Sequence, residues 1–129
     1  MAANPVFIGT GVSKTARIAT ANLLRDGTGT LGTVWTVGTS GGRLEAIRVQ
    51  AEGTTTAGIV RIFIQKAGAG NNELIKEIMV AAVTPSASIE AWSDWWIPPV
   101  PIPLENGDIV KAGTNAAETF SVWAMGGDM

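Results

Sequence analysis

The chain has 129 residues, a net charge of −2, 46% hydrophobic and only 16% charged side chains, which suits one core rather than two small ones and a neutral surface. His, Cys and Tyr are absent, so zinc fingers, haem or iron–sulfur ligation, disulfides, Ser-His-Asp triads and cysteine nucleophiles are excluded. The charge balance argues against nucleic acid as a partner, and no apolar run approaches the ~20 residues that span a bilayer. The opening MAANPVF carries no basic n-region or long apolar stretch, so neither a secretory leader nor membrane attachment is expected.

Short apolar stretches punctuated by Gly, Thr, Asn and Pro suggest an all-β chain. Val6–Ile8 reads as a short strand after Pro5, and Lys14–Ala21 alternates weakly. RDGTGT at 25–30 has the Asp-Gly chemistry of a tight reversal, and Leu31–Val37 is a β-rich run around Trp35. Arg43–Glu52 sets Ile47, Val49 and Ala51 on one face and Arg48, Gln50 and Glu52 on the other. After GTTTAG, Ile59–Lys66 sets Val60, Ile62 and Ile64 inward and Arg61 and Gln65 outward beside Phe63. This alternation predicts an antiparallel hairpin of the two strands.

AGAGNN at 67–72 is a turn. Residues 73–82 fit either a helical face through Leu74, Ile75, Ile78, Met79 and Ala82 or a strand from Leu74 to Val80; the all-β surroundings favour the strand. Ile89–Ile97 is rich in Trp, and the prolines from Pro98 to Pro103 require a sheet edge or an extended crossover, since Pro has no N–H to donate. Asn106-Gly107-Asp108 turns into a strand at Ile109–Ala112, and Thr119–Met125 is the last strand. Eight or nine strands without linker or repeat predict a single-domain antiparallel β-sandwich over 1–129, jelly-roll-like, with residues 1–9 as an N-terminal arm.

Few residues can carry chemistry. IGTGVSKT at 8–15 imitates a phosphate-binding loop but has Ile8 and Ser13 where that motif needs glycines, and no strong helix follows. Glu90 with Asp94, and Glu105 with Asp108, are the available carboxylate pairs for glycoside hydrolysis; such residues are ordinarily solvated surface charges. RDGTGT and ENGD lack the dense Asp pattern of a calcium loop. No catalytic, cofactor or metal site is therefore expected. As a strand, SIEAWSDWWIPP sets Ile89, Ala91, Ser93, Trp95 and Ile97 toward a core and Glu90, Trp92, Asp94 and Trp96 outward. Two Trp beside two acids suit a protein interface or a sugar-stacking platform. A surface with so few charges also suits a subunit covered by partners.

AANPVFIGT at the start, RDGTGT, RLEAIRVQAEGTTTAGIVRIFI, the aromatic stretch ending in WIPP, and the closing FSVWAMGGD together resemble small phage and prophage virion proteins. The resemblance implies a non-enzymatic jelly-roll protein of the capsid decoration or cement type, assembled in the host cytoplasm and located in the virion. It implies contact with the major capsid protein or other virion proteins, as a homo-oligomer with a trimer favoured. Trp92 and Trp96, flanked by Glu90 and Asp94, are the expected interface anchors, with Pro5, Val6 and Phe7 of the arm as a second contact. A tail or fibre-base connector and a carbohydrate-binding module using Trp92 and Trp96 are the alternatives.

Overall fold

The computed structural model describes residues 10–128. The expected Val6–Ile8 strand and the arm residues Pro5, Val6 and Phe7 lie outside the described residues. Among the described residues nine strands follow one another without a helix: β1 (Thr10–Ile18), β2 (Gly32–Thr36), β3 (Gly42–Ala51), β4 (Gly58–Gln65), β5 (Asn72–Val80), β6 (Ser93–Trp96), β7 (Ile102–Leu104), β8 (Ile109–Thr114) and β9 (Phe120–Asp128). They form two antiparallel sheets, β1-β9-β3-β6 with β7 also on β3, and β2-β8-β4-β5. The pairs β1·β9, β2·β8, β3·β6/β7 and β4·β5 are nested, so the chain is one long hairpin rolled up. The pairings β3·β9 and β4·β8 join those ribbons into sheets. This is jelly-roll connectivity.

The sandwich interior is filled by the apolar side of each strand. Leu44, Ile47 and Val49 of β3, Val60 and Ile62 of β4, Val110 of β8, and Val122 and Ala124 of β9 are all fully buried. Each large aliphatic side chain removed from water in this way contributes about 1.5–3 kcal/mol.

The inward faces expected for β3 and β4 are the observed ones, but the expected hairpin between them does not form. β3 pairs with β9, β6 and β7, whereas β4 lies in the other sheet between β5 and β8. Residues 52–57 cross from one layer to the other. Thr55 anchors that crossing: it exchanges backbone hydrogen bonds with Val83 at 2.9 and 3.2 Å, and its hydroxyl donates to the Ala81 carbonyl at 2.7 Å. Alternation reveals which side of a strand faces the core, and both sheets of a sandwich share that core.

Residues 72–80 form a strand, not a helix. The register slips between Ile62 and Phe63 of β4, which face Lys76 and Leu74, so Ile75 is an extra residue on β5. That bulge accounts for the helix-like spacing of Leu74, Ile75 and Ile78, because an extra residue shifts the period of two.

Every sheet edge carries a feature that discourages further pairing. Lys14 of edge strand β1 is paired with the core-facing Ala124 yet remains exposed. β2 and β5 are bulged. The last edge is split into the short β6 and β7, with Pro98, Pro99 and Pro101 between them and Pro103 in β7 beside Arg43. The prolines thus occupy the edge that their missing donor demands.

Candidate functional site

Pairing register fixes what the outer face of the β1-β9-β3-β6 sheet displays. Ile47 and Val49 point inward opposite Ala124 and Val122, so Arg48 and its neighbour Trp123 point outward. On the other flank of β3, Arg48 lies opposite Trp95. A row Thr15–Trp123–Arg48–Trp95 therefore crosses all four strands. The row on one side is polar, Arg17–Ser121–Gln50–Ser93, and that on the other contains Ser13, Met125 and Ala46.

Arg48 is held flat at the centre. Its guanidinium carbon sits 5.1 Å from the centroid of the Trp95 ring, a cation–π geometry. Its Nη2 donates to Gln50 Oε1 at 2.8 Å, and the Gln50 amide in turn donates to the carbonyls of Ala51 and Trp92 at 3.0 and 3.3 Å. Among the described residues Arg48 forms no ion pair. Apolar side chains flank the row along the sheet edge. Ile89, Trp95, Ile97 and Val100 are 54%, 48%, 69% and 73% exposed, and among the described residues only three other large hydrophobics, Leu23, Leu24 and Met79, are comparably open.

The expected faces of the Trp segment are reversed. Trp92 and Trp96 are half-buried against the core, and Trp92 meets Phe120 edge-on at 6.0 Å between centroids. Trp95 and Ile97, expected inside, are exposed, as are Ile89 and Ser93; Ala91 packs on the core as expected. β6 takes its phase from β3, where Trp96 faces Ile47 and Trp95 faces Arg48, and a one-residue change of phase exchanges the two faces. Glu90 and Asp94 are exposed. Asp94 Oδ1 accepts the Trp95 N–H at 2.8 Å, and Glu90 has no ion pair among the described residues.

The second carboxylate pair is not two solvated charges. Asp108 is fully buried at the start of β8, paired with the Lys66 ammonium, and accepts the N–H groups of Ala67 and Glu105 at 2.9 Å each. Burial pushes its carboxyl up, but the Lys66 ammonium and the two N–H groups outweigh that and hold it below the usual carboxylate value. The same contact raises Lys66. Gly107, at φ +88°, provides the left-handed turn that aims Asp108 inward. The group pins a turn, with its oxygens already taken. In RDGTGT, Asp26 accepts the hydroxyl and N–H of Thr28 at 2.6 and 3.0 Å, which lowers its pKa and closes the turn.

Among the described residues one depression of about 90 Å³ lies beside Ile18, Leu31 and Gly113, and another of about 170 Å³ beside Ser40 and Asp128. Both are smaller than the ~300 Å³ at which ligand pockets begin. Among the described residues no cluster of three or more acidic side chains is placed to hold a metal, and no helix is long and apolar enough to cross a membrane.

Arg48 was legible as outward-facing from the alternation of β3. Trp123 was not singled out, although Phe120, Val122 and Ala124 alternate with Ser121, Trp123 and Met125 and so signal its outward side. No protein-family model and no curated protein matches the chain.

Proposed function

We propose that the protein is a non-enzymatic structural subunit of a phage particle, a capsid decoration or cement protein that stabilises the head through protein–protein contacts. The observation that carries this reading is the Trp123–Arg48–Trp95 row on an open, nearly neutral sheet face. Trp and Arg dominate the energetic centres of protein interfaces, and an open sheet face with a polar row on one side and exposed apolar side chains along its edge suits a partner surface better than a small substrate. The virion setting rests on the resemblance of the quoted segments to small phage proteins.

The mechanism is mechanical. Each subunit buries apolar and aromatic surface against its neighbours, so expansion of the shell under internal pressure must also separate those contacts. Weak contacts repeated over a shell act together.

Particles assembled without the protein are expected to release DNA at lower temperature and under milder osmotic shock. Unchanged particle stability overturns the cement role. Mass spectrometry and imaging of intact particles separate head from tail: many copies spread over the shell are expected, and a few at one vertex would assign the protein to the tail instead.

A further inference from the structure

We infer that the open face is completed by a carboxylate side chain of a different protein chain, seated on Arg48 between Trp95 and Trp123. This deepens, and rests on, the reading of the protein as an assembly subunit.

The other sheet shows what an outward-facing arginine of this fold takes as its partners. Arg61 of β4 is buried, and it meets the Glu77 carboxylate at 3.0 Å and the Asn22 carbonyl at 3.3 Å. Arg48 of β3 is half-buried, with one side of its guanidinium on the Trp95 ring and Trp123 opposite it on β9. Among the described residues its side chain donates to the neutral Gln50 amide and forms no ion pair. A guanidinium carries more N–H donors than that bond uses. The ring and Gln50 fix the plane of the fork, which a carboxylate can meet with two parallel hydrogen bonds at little cost in side-chain ordering.

Charge complementarity then selects the occupant. The carboxylates that flank Arg48 along the chain, Glu45 and Glu52, are held by Arg43 and Arg17 at 3.9 and 2.8 Å. Asp94 of β6 is level with the inward-facing Val49, so it belongs to the other side of the strand, and Glu90 lies outside the paired strand. Two copies stacked face on face would therefore bring their arginines together with no free carboxylate between them. A nucleic acid fits no better, because a chain of net charge −2 lacks the excess of Lys and Arg that a polyphosphate requires. What fits is an Asp or Glu set among apolar side chains of another protein, the apolar neighbours covering the exposed Trp95 and Ile97.

Particles assembled without the protein are the probe. Arg48→Glu should bind them at least about tenfold more weakly than the parent, the scale of a close interfacial charge pair. Lys14→Glu, an exposed charge reversal in phase with inward-facing Ala124, should bind like the parent. Matching circular dichroism and melting temperatures keep the comparison one of binding. Arg48→Lys gives a second readout, since a carbodiimide joins an amine to a carboxylate in contact with it. Mass spectrometry should place the cross-link from position 48 on an Asp or Glu of another virion protein. Parent-like binding of Arg48→Glu, or a cross-link from position 48 to a second copy of this chain, overturns the inference and leaves the virion reading standing. A parent that does not bind the particles removes both.

Discussion

On the β2-β8-β4-β5 sheet the chain covers its own outer face, whereas among the described residues no segment crosses the outer face of the β1-β9-β3-β6 sheet. The cover is the segment 19–31, which leaves β1 and runs across β4, β5 and β8. It is fastened at Thr114, whose carbonyl accepts the Asn22 N–H at 2.8 Å, and at Arg61, whose Nη1 donates to the Asn22 carbonyl at 3.3 Å. Glu77 of β5 joins Arg61 and Arg25 at 3.0 and 2.6 Å, and Asn72 Nδ2 donates to the Gly27 carbonyl at 2.8 Å. These anchors bracket Phe63, which lies outside the inter-sheet core yet is 1% exposed. Gly113 shows how close the cover lies, since a Cβ there would come within 2.9 Å of Leu31. On the open face the comparable residues are Arg48, Trp95 and Trp123, and the arginine stacks on a ring instead of meeting a carboxylate. An outward-facing arginine is thus structural where the chain covers it, as at Arg61, and available to a partner where it does not, as at Arg48.

Substitutions can break that contrast. The largest effect is expected for Phe63→Ala, about 3–5 kcal/mol of unfolding free energy, the cost of a core aromatic although the residue lies on an outer face. A loss below about 1 kcal/mol in chemical denaturation would show that the cover does not seal. Arg61→Ala should follow at about 3 kcal/mol, the low end for breaking a buried pair, because Glu77 is partly solvated and keeps Arg25. Faster proteolysis within 19–31 should accompany it.

The pH dependence of folding should be flat between about pH 6 and 9, since no His titrates there. Asp108 and Glu77 have folded pKa values held below ordinary, Glu77 by Arg25 first and then Arg61. Their stabilisation is full above the ordinary carboxylate range near 4 and is lost as pH falls through the lower folded values. Lys66 is raised, so its share persists up to about pH 10 and is lost as pH rises through its folded value. Melting temperature measured across pH checks both limbs. The smallest effect on stability is expected for Trp95→Ala, within about 1 kcal/mol, the scale of an exposed cation–π contact, together with a clear loss of binding to purified shells. A loss as large as that of Phe63→Ala would erase the distinction between the faces.

The alternation of Ile47, Val49 and Ala51, and of Val60, Ile62 and Ile64, was sufficient to place both sets in the core. It could not reveal that β3 and β4 belong to different sheets, because pairing partners are chosen by the fold of residues 52–57 and by β8 and β9, which arrive late in the chain. The Trp segment shows the same limit at finer scale. Four strand residues are too few to carry a phase of their own, and hydrogen bonding to β3 turned Trp92 and Trp96 inward. Arg61 was correctly read as outward, but its burial depends on Asn22, 39 residues away.

Composition and periodicity by themselves determined an all-β chain with a defined core, prolines at an edge, and no His or Cys for zinc-finger, iron–sulfur or thiol chemistry. These follow from local rules: side chains alternate along a strand, Pro lacks an N–H, and His and Cys are absent. Tertiary structure alone decided which outer face is sealed and which is open. That outcome depends on long-range register and on a loop folding back over one sheet, and neither leaves a signature in a short stretch of sequence.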